Sequence, residues 1–566
     1  VVLSDTVAGQ TIRFADNLST PVLTTTANGY HLELLGIATY VSAANTATTF
    51  LNTGNLVLGN AAGDTLTFAG GLTATAPAAI NAAGTVNTSN TAMSLGDSNT
   101  ALTLTADVAL NTAGGSLTLG GAVNGTTANT ESLSLNAGTT GAVSVTGAVG
   151  QTTSLKTLTL TNSNGATFNS AVTTGTSVVL SDTVADQTIR FADNLSTPVL
   201  TTTAHGYHLE LLGSNTSVNG NTTLLNTGNV VLGNAATDTL SFAGGLTATA
   251  ANTINMGGVI STNNAGISLG STAITLNANT SLSAGTGAIS LNSTVDSAAS
   301  TTQALTINST GVTTFNNKVG FVDALASLTT NSGGSLVMNA GSITTTGNQT
   351  YGEATTLAQA TTLNAGAGNV TFSSTVDSAA GTTQALTINS TGVTTFNNKV
   401  GFVDALASLT TSSGGSLVMN AGSITTTGNQ TYGEAATLAQ ATILNAGTGN
   451  VAFSSTIDGG FDLNINTTGT TRLDGNVGAT TSLASLTTNT GGMVLIDAST
   501  VHTTGAQTYN DMVSVLRNAT LTGSDVTFNA AVMGTGDLSL VGAVVLNGGS
   551  VTTTGSQIYS GAVTLQ

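Results

Sequence analysis

The chain has 566 residues, of which only 6% are charged, with 7 Lys+Arg against 25 Asp+Glu, a net charge of −18, no Cys and no Trp. That balance excludes the basic footprint of a nucleic-acid binder and an electrostatic hold on anionic lipid. The lack of Cys removes disulfides, thiolate metal sites and thiol nucleophiles together.

Disorder does not fit either, because 40% of the residues are hydrophobic and the net charge is spread over the whole length. No stretch approaches the ~20 apolar residues of a membrane-spanning helix. Aromatic residues, at 4%, are too few for the girdles of a transmembrane barrel, so this segment is expected not to insert into a membrane. The chain opens on VVLSDT, with no basic start and no apolar signal core. It begins inside a repeat and stops just after the start of another unit. That predicts a processed or partial piece of a longer protein.

The first block, VVLSDTVAGQTIRFADNLSTPVLTTTANGYHLELLG from Val1, returns 177 residues later at Val178 with two changes. The similarity extends over 1–76 and 178–250. Between the copies lie short alternating runs: SLTL at 116–119, SLSL at 132–135, AVSV at 142–145 and TLTL at 157–160. Period-2 alternation puts Leu and Val on one face and Ser and Thr on the other, which reads as strand. The intervening NAG, NSTG, TNTGG and NGG are turn chemistry, since Gly and Asn tolerate positive φ.

Residues 293–373 are then repeated at 374–454 with six substitutions in 81 positions. The string TTGNQTY occurs at 345–351 and 426–432, and returns as TTGAQTY at 503–509 and TTGSQIY at 553–559. The best helical candidate, VDALASL at 322–328, is only about two turns long.

Equivalent runs recur every 23–25 residues: Ser132 to Thr157, Ala142 to Ala166, Leu305 to Leu328, and Phe372 to Phe396. Coils of roughly 20–27 residues with two or three short strands each predict an all-β parallel β-helix, or β-solenoid. A sandwich array would want a period of about 100 residues. The expected organisation is 1–292 as a solenoid with the 177-residue duplication, and 293–566 as a solenoid of units 293–373, 374–454 and 455–566, in one continuous rod. Leu, Val, Ile and Phe should stack in interior files. Thr, Ser and Asn should form hydrogen-bonded ladders. Charge is scarce because a charge stacked on its own copy every ~4.8 Å repels itself. Equivalent residues of the 81-residue blocks are expected on the same side, with Phe315 and Phe396 buried in one file and Lys318 and Lys399 exposed.

The acids repeat with the blocks: Asp296 with Asp377 and Asp458, Asp323 with Asp404, and Glu353 with Glu434. A carboxylate pair for glycoside cleavage is conceivable on a β-helix groove. A duplicated turn or solvated edge explains them more simply than a duplicated active site. The calcium nonapeptide of β-rolls and the DxDxDG loop are both absent, leaving only calcium on scattered Asp and backbone carbonyls. His205 and His208 form HGYH, but the first copy has Asn28 and His31, so a site needing both histidines is absent there. They read as loop histidines. Arg13 with Asp16, and Arg190 with Asp193, read as local ion pairs. The TxT runs are too interrupted for a flat ice-binding face. No residue is assigned a catalytic, cofactor or metal role.

Units such as GSITTTGNQTYGEATTLAQATTLNAGAGNVTFSSTVD resemble the β-strand repeats of filamentous-haemagglutinin-like exoproteins and autotransporter passengers of bacteria. The resemblance covers nearly the whole chain and is clearest over 293–566. It implies a right-handed parallel β-helix, export to the bacterial cell surface, and a role in adhesion, aggregation or fibre building. The secretion domain and membrane barrel of such proteins do not occur in this sequence. The resulting expectation is a non-enzymatic extracellular structural or adhesive protein that requires no cofactor. Its expected partners are neighbouring copies and cell-surface glycans. The alternatives are a carbohydrate-active β-helix lyase or hydrolase, and a self-assembling sheath or filament subunit.

Overall fold

The computed structural model describes residues 1–4 and 7–566. Its regular structure consists of short strands joined by turns, with no helix among the described residues. The helical candidate at 322–328 is a bend carrying a single bridge at Leu325, followed by the strand Ser327–Thr330.

The chain divides into two compact units, Val1–Gly287 and Ala288–Gln566. Each is a parallel β-solenoid. In the first unit, three files of interior residues run through three parallel sheets. One passes through Leu32, Leu56, Ile80 and Leu102. A second runs through Leu72, Met93, Leu117, Val143 and Ala166. The third contains Leu66, Val86, Leu110, Leu135 and Leu160.

The second unit repeats the plan. One file contains Leu305, Leu328, Gln349, Val370 and Thr394. The next contains Ile289, Thr313, Leu336, Thr355 and Val376. The last contains Ile343, Leu363, Ile388, Thr411 and Tyr432.

Strand alternation sets what faces inward. In Ala304–Ser309 the residues alternate between half-buried and buried, so Leu305 and Ile307 point inside while Thr306 and Asn308 point out. Coil offsets run from 19 residues, as from Ser335 to Ala354, to 27, as from Ala38 to Thr65. That is the expected range with one residue added at the short end. The offsets of 23 from Leu305 to Leu328 and 24 from Phe372 to Phe396 are as expected. One alignment slips: Val143, not Ala142, pairs with Ala166, because Val143 is the inward residue.

Aromatic rings stack along the interior. Tyr351, Phe372 and Phe396 form a stack with centroid separations of 4.9 and 5.6 Å. Phe168 stacks on Phe191 at 4.8 Å. Amide ladders run along the outside; Asn389 Nδ2 donates to Asn364 Oδ1 at 2.8 Å, and Asn547 donates to Asn529 at 2.7 Å. Val-Gly corners recur at 149–150, 319–320, 400–401 and 477–478. Gly320 and Gly401 have φ of 64° and 63°, and a Cβ there would overlap the carbonyl oxygen of Thr344 or Thr425. Only glycine fits this corner.

The duplicated blocks do not return to the same side. Thr313 begins a file that continues through Leu336, Thr355 and Val376 to Val400. Its copy Thr394 precedes Val400 in the chain and joins a different file, with Val370 below and Leu417 above. An 81-residue block therefore spans more than three coils and fewer than four. Phe315 stacks in register with Leu291 and Met338, whereas Phe396 stacks with Phe372 and Met419. Both rings are 0% exposed, but they lie in different files, so the expectation of one shared file is corrected.

The 177-residue duplication behaves the same way. Leu32 shares a file with Leu56, while its copy Leu209 follows Ile189 and Ala166 on another sheet. A block returns to its starting sheet only if its length is a whole number of coils, and neither length is.

Candidate functional site

The repeated string TTGxQTY builds a buried corner. Gln349 is 0% exposed. Its Nε2 lies within hydrogen-bond reach of Ile343 O at 3.3 Å, Thr345 Oγ1 at 3.2 Å and Asn364 O at 3.0 Å. Its Oε1 accepts the Tyr351 hydroxyl at 2.8 Å. Asn364 belongs to the next coil, so one side chain ties its own corner to the coil above. Gln430 with Tyr432 repeats this, reaching Ile424 O, Thr426 Oγ1 and Asn445 O. Gln507 with Tyr509 reaches Val501 O and Thr522 O. Burial raises the hydroxyl pKa of Tyr351, Tyr432 and Tyr509, so each remains a donor. The three copies lie on three different sheets, with Gln349 below Val370, Gln430 below Val451 and Gln507 below Val526.

The repeated aspartates hold loops. Asp296 Oδ1 accepts the amide of Val322 at 2.9 Å and that of Asp323 at 3.4 Å. Asp377 does the same for Val403 and Asp404, and Asp458 for Thr480 and Thr481. In the first unit the neutral Asn124 does this job for Thr152 and Thr153. What is used is the acceptor, not the charge. Asp377→Ala is therefore expected to cost about 1 kcal/mol and to speed exchange of the Val403 amide, whereas Asp377→Asn should leave both nearly unchanged. Equal effects of the two substitutions, read by denaturant midpoint and hydrogen exchange, would reject this role.

Three expectations are corrected here. Arg13 pairs with Glu33 at 2.5 Å rather than with Asp16, and Arg190 pairs with Glu210 rather than Asp193. The register places each Arg directly beneath its Glu in the next coil. Lys318 and Lys399 are half-buried rather than exposed, each ammonium lying 3.6 Å from the ring centroid of Phe321 or Phe402. Glu353 and Glu434 are not turn or edge acids. They are 2% and 3% exposed, and burial raises their pKa. Sequence reasoning missed that Asp511 is their third equivalent; all three stand two residues after the Tyr of TTGxQTY.

The histidines sit in loops. His205 Nδ1 lies 2.9 Å from Asp182 Oδ1, while His208 and His31 each accept one backbone amide, from Asn229 and Asn55. Among the described residues no three His, Cys, Asp or Glu side chains are grouped to hold a metal. A groove of about 200 Å³ in the first unit is lined by Thr85, Ser132, Ser134 and Thr159 with one carboxylate, Asp107. Asp107 already accepts the Ser132 amide at 2.8 Å.

Fold and corners together define a tandem-repeat β-solenoid protein. No known family, curated protein or solved structure matches the chain.

Proposed function

We propose that this chain is a non-enzymatic structural or adhesive repeat protein of a bacterial cell surface. The observation that carries the reading is the use made of the repeated residues. The Gln–Tyr corners, the loop-holding aspartates and the Val-Gly turns all serve coil-to-coil cohesion. Repetition then supplies length and copies of an outer surface rather than a unique reacting centre. That outer surface is mostly hydroxyl and amide, with exposed apolar loops at Phe321–Val322 and Phe402–Val403. Weak contacts at such copies add through multivalency. Acid–base catalysis would need paired groups within reach of one substrate, and the repeated aspartates are already engaged by backbone amides.

The test is attachment of beads carrying the full chain, or the chain lacking 374–454, to bacterial cells and to immobilised polysaccharides. Attachment is expected to be stronger for the full chain. Turnover of any polysaccharide that Asp296→Asn abolishes would replace this reading with the enzyme alternative.

A further inference from the structure

Three buried acids do no work for the corners around them. Glu353, Glu434 and Asp511 are 2%, 3% and 2% exposed. Each follows a Gln–Tyr corner and turns inward against threonines from the coils below. The Thr330 hydroxyl faces Glu353, Thr411 and Thr394 face Glu434, and Thr488 faces Asp511. Yet both oxygens of Glu353, Oε2 of Glu434, Oδ2 of Asp511 and the hydroxyls of Thr394 and Thr411 close no hydrogen bond of normal geometry. Only Asp511 Oδ1 is engaged, by the Gly492 amide at 2.7 Å.

No cation compensates them. The ion pairs described in this unit join Arg472 to Asp474 and Asp497, and Arg517 to Asp497. The strands packed on the three corners carry other acids, but these point outward. Asp377 and Asp458 are half-buried above Glu353 and Glu434; Asp525 is exposed and Asp497 half-buried beside the Asp511 corner. An ionised carboxylate enclosed without a cation or a full set of donors is expensive, whereas a protonated one can donate to a threonine oxygen.

We propose that Glu353, Glu434 and Asp511 form an acid-strengthened lock, each carboxyl held neutral inside its corner so that mild acid tightens the coils of this unit and alkali loosens them.

The sign follows from linkage. Burial raises all three above their unfolded values, which are about 4.3 for Glu and 3.9 for Asp. Below those values both states are protonated and the groups are neutral to stability. As pH rises from there to the folded pKa, the native state binds more protons than the unfolded one, so stability falls. Asp97, Asp497 and Asp537 are held below the ordinary range by hydrogen bonds, from Asn99, Arg517 and Ser556 respectively. Their contribution is present above the unfolded pKa and is lost only as pH falls through their folded values, which is a separate window.

The experiment is denaturant unfolding of the full chain between about pH 5 and pH 8, for the wild type and the triple variant Glu353→Gln, Glu434→Gln, Asp511→Asn. The wild-type midpoint is expected to fall with rising pH, and the variant to lose most of that slope. A wild-type midpoint that is constant or rises, or a variant that keeps the slope, overturns the proposal. If the variant does not fold, the infrared spectrum of the wild type in heavy water near pH 7 decides. A protonated-carboxyl carbonyl band that disappears only on adding alkali supports the lock, and absence of the band overturns it.

Discussion

Phe372→Ala is expected to destabilise its coils by about 3–5 kcal/mol, the range for truncating a buried aromatic side chain. Phe372 is 1% exposed and lies between Tyr351 and Phe396. The cavity cannot close by collapse, because the backbone ladders fix the coils ~4.8 Å apart on either side. Two stacked ring contacts are lost as well, each worth about 0.5–1.5 kcal/mol beyond area burial. Each coil touches only its neighbours, so the damage should stay local. Hydrogen exchange should accelerate over Gln349–Tyr351, Val370–Phe372 and Val393–Phe396. The Tyr509–Phe528 stack should keep its protection. A uniform loss of protection along the second unit would reject nearest-neighbour stability.

Removing residues 374–454 is expected to leave a folded chain with its strand signal and unfolding midpoint little changed. The junction is chemically seamless: Ser373 would meet Ser455-Thr456-Ile457-Asp458 instead of Ser374-Thr375-Val376-Asp377. The coils then brought together are near-copies of those now in contact; Tyr351 and Phe372 would stand where Tyr432 and Phe453 stand. All later coils would move to another sheet, because the deleted block is not a whole number of coils. The Gln507–Tyr509 corner would move with them while keeping its bonds. Circular dichroism, limited proteolysis and thermal unfolding check this. Global unfolding would show that coil identity depends on more than adjacent coils.

Much of the fold is legible in short runs. SLTL, SLSL and TLTL alternate strictly, and their Leu residues are the buried ones. The offset from Leu305 to Leu328 follows from lining up two similar strands. The aspartates were correctly read as turn acids. Glu353 and Glu434 were not, because nothing local distinguishes an inward acid at a corner from an outward one. Only the alignment of all three TTGxQTY strings, with Asp511 in place of Glu, hints that the position is special. Arg13 illustrates the other limit. Asp16 is close along the chain, but Glu33 is closer in space because one coil brings it directly overhead.

The sequence by itself determined that the chain is all-β, that its strands are half-buried, that its coils are about 20–27 residues long, and that charge would be rare. These follow from residue types and from period-2 alternation, both of which are local. Only the tertiary structure decided the sheet on which each copy lies, the partner beneath each side chain, and which acids are enclosed. The physical reason is phase. Alternation fixes in against out along one strand, but corners consume variable numbers of residues, so offsets range from 19 to 27. Their sum over a block sets the angle at which the next copy begins, and no single stretch of sequence contains that sum.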